Sequence, residues 1–161
     1  MSNTHILPVP PTAMLKAVHN QMKELFARYA AMAPEETSAK KALFQELQEV
    51  FRIHLQIEEV LFYPAVQAMK AELAISTVLK ALQARQRVKA LLEELKALSA
   101  ENKSLDGKMD ELQHCVLAHL QVEELDIFPY ARALPLETLR ELSLEMEMLR
   151  DRLLKNGYGL E

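Results

Sequence analysis

The sequence predicts an all-α protein, an antiparallel up-down four-helix bundle with an extra C-terminal helix. Three observations carry this reading. Ala, Leu, Glu, Lys and Met dominate a chain of 161 residues that has three glycines, a composition that favours helix. Apolar residues recur every three or four positions along each long segment, the period of one helix face. No stretch shows the apolar–polar alternation of a half-buried strand. Half of the residues are apolar, enough to fill one compact core.

Residues 1–11 are rich in proline and read as a flexible, extended N-terminal arm. Thr12, placed just after the proline pair, is the expected cap of a first helix that runs to about Met32. Its stripe is Leu15, Val18, Met22, Leu25, Phe26 and Tyr29. A second helix covers roughly 36–63, with Leu43, Leu47, Val50, Phe51, Ile57 and Leu61 on one face, and Pro64 is expected to end or kink it. A third covers about 70–100, with Val78, Leu82, Val88, Leu92 and Leu95 inward. The polar linker at 101–107 offers Ser104 or Asp106 as a cap for a fourth helix. That helix runs to about Phe128 on Met109, Leu112, Val116 and Ile127.

The bundle so defined spans 12–130. Pro135 then opens a fifth helix within 131–161, with the stripe Leu139, Leu142, Met146, Leu149 and Leu153 and a stop at Asn156–Gly157. Such a stripe either closes a bundle groove or pairs with a partner, a second copy of the chain included.

Several function classes fall away on composition. Net charge is −4 with no basic run, which argues against nucleic acid as a partner. One cysteine, Cys115, rules out an internal disulfide framework and fits a reducing cytoplasm. Cys115 reads as a packing residue. The first residues lack the basic flank and apolar block of a signal peptide, and no apolar run is long enough to span a bilayer. The expected setting is cytoplasmic, away from membranes.

The most informative feature is a sentence that occurs twice, HLQIEEVLFYP at 54–64 and HLQVEELDIFP at 119–129, identical at six of eleven positions. Residues four apart lie one above the other on a helix. His54 with Glu58, and His119 with Glu123, therefore each form a two-toothed nitrogen–oxygen chelate. Both pairs continue the inward stripe of their helix. His19, between Val18 and Met22, faces the same core from the first helix. His114 falls on the solvent side and His5 in the arm. Buried glutamates need a cation or a proton to offset their charge. Three inward histidines and two inward glutamates converging in one bundle point to a metal site. The mixed donor set suits iron, manganese or zinc better than magnesium or calcium. Glu59 and Glu124, next round the helix, could stand behind the ligands or act as surface acids, and surface placement is the one expected.

Taken together, the double HLQ(I/V)EE motif with its trailing aromatic and proline, and His19 in its first-helix context, resemble the hemerythrin-like (HHE cation-binding) family over about 12–130. The resemblance implies a bundle around a carboxylate-bridged, non-haem di-iron centre. Its implied ligands are His19, His54, Glu58, His119 and Glu123. Implied roles are binding or sensing of O2 or NO, repair of iron–sulfur centres, and iron or peroxide handling. One departure stands out. The family contributes a further histidine from the third helix, and the matching position here is Arg85.

A guanidinium stays protonated and offers only donors, so it cannot ligate a metal. Arg85 can instead pair with Glu58 or Glu123, leaving a one-metal site or a metal-free interaction module. Alternatively it extends to the surface and leaves the cavity to metal and water. Other chemistries lack their parts. The one Glu-x-x-His spacing, Glu111 to His114, faces outward, so a ferritin-type site is not formed. A haem held by His54 and His119 leaves the inward glutamates unexplained. No nucleophile, oxyanion loop or phosphate loop accompanies the carboxylates, so turnover of an organic substrate is not expected.

Overall fold

The structure, a computed structural model, describes residues 8–157. His5, residues 1–7 of the predicted arm and residues 158–161 lie outside the described residues. Every regular element among the described residues is helical.

Helix α1 runs Pro11–Ala31. Thr12 does not cap it. Pro10 holds the cap position and its carbonyl accepts from Met14 N–H at 3.0 Å. Pro11 sits where its missing N–H would be unpaired in any case. Helix α2 runs Thr37–Ile57. It continues through a π-helical turn, Glu58–Phe62, into α3, Tyr63–Gln67. Pro64 therefore neither ends nor breaks the rod. Proline lacks an amide hydrogen and crowds the carbonyl one turn back. The wider turn before it absorbs that crowding, with Tyr63 N–H reaching back five residues to Glu58 O.

Helix α4 runs Glu72–Ala100 and α5 runs Asp106–Val122. Leu105, not Ser104 or Asp106, occupies the N-cap of α5. Ser104 Oγ accepts a long 3.4 Å bond from Asp106 N–H. The Asp106 carboxylate is drawn away, toward the Tyr29 hydroxyl at 2.8 Å and Lys40 Nζ at 3.0 Å. The second copy of the motif repeats the first. α5 passes through a π turn, Glu123–Ile127, into α6, Phe128–Arg132, across Pro129. α7 closes the order at Leu136–Gly157.

Long-range contacts set the direction of the rods. Tyr29 at the end of α1 and Lys40 at the start of α2 meet Asp106 at the start of α5, and Lys41 reaches Asn102 just past α4. These four helix ends share one pole, so successive long helices reverse direction. The main packing pairs are α4 with α5 and α1 with α2.

The core has two apolar clusters. One holds Met22, Phe26, Phe44, Leu47, Leu91, Leu95 and Leu112. The other holds Leu15, Ile57, Phe62, Tyr63, Val66, Val78, Ile127 and Phe128. His19 lies along α1 between Leu15 of the second cluster and Met22 of the first. α7 lies against α1, α2 and the first π turn. Leu142 and Met146 are buried in the second cluster, with Leu139, Leu149 and Leu153 packed on it. Cys115 is a half-buried neighbour of the first cluster.

Candidate metal centre

Phase alone brings His54 over Glu58 and His119 over Glu123, because four residues nearly complete a helical turn. Nε2 of His54 lies 2.9 Å from Glu58 Oε1, and Nε2 of His119 lies 3.1 Å from Glu123 Oε2. α1 supplies the third imidazole, with His19 Nε2 at 3.4 Å from Glu123 Oε1. One donor atom from each of His19, His54, Glu58 and Glu123 lies within 4.8 Å of the other three. His119 is not in that group of four. It joins through Glu123, whose two oxygens face different histidines. His114 is exposed, its Nδ1 3.0 Å from Asp110 O, as its phase requires.

An aromatic wall holds the rings. His19 stacks on Phe128 at 5.7 Å and 17°, and meets His54 edge-on at 5.0 Å. Phe62 packs edge-on against Phe128. Tyr63 donates its hydroxyl to Glu123 Oε2 at 2.8 Å.

Arg85 does not reach the surface. It is completely buried, its guanidinium over the Tyr63 ring at 5.1 Å, and Nη2 donates to Leu55 O at 2.8 Å. The same nitrogen is 3.7 Å from Glu58 Oε1 and 3.9 Å from Glu59 Oε1. The expectation that Glu59 and Glu124 are surface acids needs correcting. Both are half-buried and touch the centre. Glu59 stands between Arg85 and Lys89 (2.6 Å), and Glu124 stands between His19 Nδ1 (3.7 Å) and Lys16. The π turns explain this. A wider turn advances fewer degrees per residue, so the second glutamate of each pair swings toward the interior. Nothing in local sequence spacing signals it except the proline downstream.

The electrostatics match a donor cluster. Burial lowers the His54 pKa to about 3, assisted by His19, Arg85 and His119 and opposed by Glu123. Its imidazole is therefore neutral, with a lone pair free. Burial, then Glu123, push the Glu58 carboxyl well up, against the pull of Arg85. Burial also works against an ionised Glu123, but close polar contacts with Glu58, His119 and His19 hold it well down. The two neighbouring carboxyls are thus pushed in opposite directions, Glu58 toward its neutral form and Glu123 toward its charged form. Burial, with the two carboxyls behind it, also raises the Tyr63 phenol, which stays a donor.

The residues present fit a cation. The Nε2 atoms of His19, His54 and His119, both Glu58 oxygens and Glu123 Oε1 are buried with no hydrogen-bond partner, although several lie close together. Unpaired buried polar atoms are costly and rare. Donors about 2.1 Å from a shared ion and at right angles to each other sit about 3.0 Å apart. A cleft of about 650 Å³ between α1, α2 and α7 has His54 in its wall beside Leu15, Val18 and Val50, which gives a small molecule an approach.

The fold and this buried cluster define a helical cation-binding domain. The family model of the Hemerythrin HHE cation binding domain matches residues 11–131, and the chain belongs to that family. No curated protein sequence matches it. Among solved structures, it is similar to the crystal structure of a Hemerythrin HHE cation binding domain-containing protein, the Rv2633c homolog from Mycobacterium kansasii. Identity is 25%, over 92% of this chain and 89% of that one, with a TM-score of 0.78.

Proposed function

We propose that this protein binds a single divalent transition metal, non-haem iron foremost, and uses it to bind or sense a small diatomic ligand, O2 or NO. His19, His54, Glu58 and Glu123 are the donors, and His119 engages the second oxygen of Glu123. The observation that carries the reading is the convergence of these four buried side chains with their donor atoms unpaired. Arg85 argues for one ion rather than two. Its fixed charge, 3.7 Å from Glu58, already offsets part of the carboxylate charge, and it would repel a second cation in the same pocket.

Bound iron would supply an open position for the diatomic ligand; the protein supplies the rest. Phe62 and Phe128 exclude bulk water, Tyr63 orients Glu123, and the cleft beside His54 admits small uncharged molecules. Iron handling is the neighbouring role for the same site. A single unpaired cysteine and the absence, among the described residues, of a helix long and apolar enough to cross a membrane support placing it in the cytoplasm.

A second reading rests on the same arginine. Arg85 with Glu58, and a proton shared by the two carboxyls, can balance the pocket without metal, leaving an interaction module. Elemental analysis of protein purified from iron-replete growth separates the two. Metal present in the wild type and lost in a folded His54→Ala variant supports the first. Folded, colourless and metal-free wild-type protein overturns it.

A further inference from the structure

We propose that Arg85 holds one small monovalent oxyanion beside the bound metal. The inference rests on the single-metal reading above and names a second occupant of the same pocket. A guanidinium carries five N–H donors in one rigid plane. In Arg85, Nη2 already has an acceptor. It donates to Leu55 O at 2.8 Å, and it lies 3.7 Å from Glu58 Oε1 and 3.9 Å from Glu59 Oε1. Nε and Nη1 find no acceptor among the described residues, and Arg85 is completely buried. Buried donors without an acceptor are costly and rare, more so on a charged group. Glu58 links this guanidinium to the donor cluster, because the same Oε1 lies 2.9 Å from His54 Nε2. The missing acceptor therefore belongs inside the metal pocket.

Charge selects what that acceptor is. With a divalent ion held, the carboxylates of Glu58 and Glu123 balance it, and imidazoles bind metals in their neutral form. Glu59 is matched by Lys89 at 2.6 Å and Glu124 by Lys16. The guanidinium of Arg85 is left over, so the loaded pocket carries an uncompensated positive charge. An unpaired buried charge is strongly destabilising. A water can accept from Nε and Nη1 but leaves that charge in place. A monovalent anion satisfies the donors and removes the charge together. The planar N–H groups of a guanidinium match the paired oxygens of a small oxyanion better than a spherical ion. Arg85 has no exposed surface, so the anion has to be small, of the size of formate. Without the metal the balance reverses. Two carboxylates then face one guanidinium, and nothing calls for a further anion. Metal and anion should therefore bind cooperatively.

Anaerobic titration of ferrous iron against a competing chelator tests this on the full chain. It is run in chloride-free buffer with formate or perchlorate at equal ionic strength. Perchlorate is the control, being larger, tetrahedral and a poor hydrogen-bond acceptor. The wild type should hold iron at least about tenfold more tightly in formate. By linkage, calorimetry should show formate binding the iron-loaded protein more tightly than the metal-free protein by the same factor. Arg85→Gln keeps a donor for Leu55 O and loses the charge. With its fold verified by circular dichroism, its formate effect should fall below about twofold. Arg85→Lys keeps the charge on a single nitrogen and should retain part of the effect; it takes over if the glutamine variant does not fold. Iron held equally well in both salts overturns the anion seat and leaves the single-metal reading standing. A formate effect undiminished in the folded variant also overturns it, because the anion then sits on the metal alone. No iron uptake in either salt overturns both.

Discussion

In the first copy of the repeated motif, His54 and Glu58 look up at a guanidinium; in the second, His119 and Glu123 look up at an imidazole. The frames are otherwise alike. Each has a histidine four residues before an inward glutamate, a π turn, a half-buried second glutamate and a proline crossed without a break. Each second glutamate bridges the residue above it to a surface lysine, Glu59 from Arg85 to Lys89 and Glu124 from His19 to Lys16. Arg85 therefore stands to the first copy as His19 stands to the second. An imidazole can give a lone pair to a metal and a guanidinium cannot. One local motif thus faces a lone-pair donor on one side and a fixed cation on the other.

Substitutions at Arg85 have the largest expected effects. Arg85→Ala removes the side-chain donor to the Leu55 carbonyl and the cation over Tyr63, leaves Glu58 without its neighbouring charge, and opens a cavity. It should cost about 3–5 kcal/mol in urea unfolding. Arg85→His makes the two halves chemically alike and should raise metal content toward two ions per chain by elemental analysis. Unchanged occupancy in a folded variant would show that Arg85 is not what limits the site.

The second glutamates come next. A histidine that binds metal commonly donates its other ring nitrogen to a carboxylate, and losing that carboxylate weakens binding about 10–100-fold. Glu124→Gln should therefore lower metal affinity on that scale in a competition titration. Glu59→Gln, whose neighbour Arg85 is no ligand, should leave affinity nearly unchanged and shift stability by less than about 1 kcal/mol. Equal effects of the two on affinity would refute the asymmetry.

The aromatic position where the copies differ, Tyr63 against Phe128, tests the comparison through a single hydrogen bond. The Tyr63 hydroxyl crosses to the opposite half and donates to Glu123, while Phe128 lies under His19. Tyr63→Phe should cost about 1.5–3 kcal/mol, the worth of a hydrogen bond to a charged acceptor, with the fold intact by circular dichroism. Bound metal should persist, with an altered absorption spectrum, because Glu123 loses the bond that orients one of its oxygens.

Much of this molecule was legible in its residues. The long stripes predict the rods and the side each one buries, since burial of apolar area acts on every third or fourth residue and needs no knowledge of neighbours. The same phase points His19, His54, Glu58, Arg85, His119 and Glu123 inward, and all six are buried. Helix ends were less legible. Thr12, Ser104 and Asp106 have capping chemistry, yet the chain caps at Pro10 and Leu105 because packing and the pull of Tyr29 and Lys40 outweigh a single hydrogen bond. Pro64 reads as a breaker, and the π turns that carry the helix past it and past Pro129 leave no mark in an apolar pattern.

Periodicity assigns each residue an angle on its own rod, which is a local property of a regular helix. Distances between rods depend on how the helices cross and on rotamers chosen by neighbours far away in the chain. That is why the place of His119 outside the group of four, joined to it through Glu123, the bond from Arg85 to Leu55 O, and the inward swing of Glu59 and Glu124 came into view only in the assembled bundle.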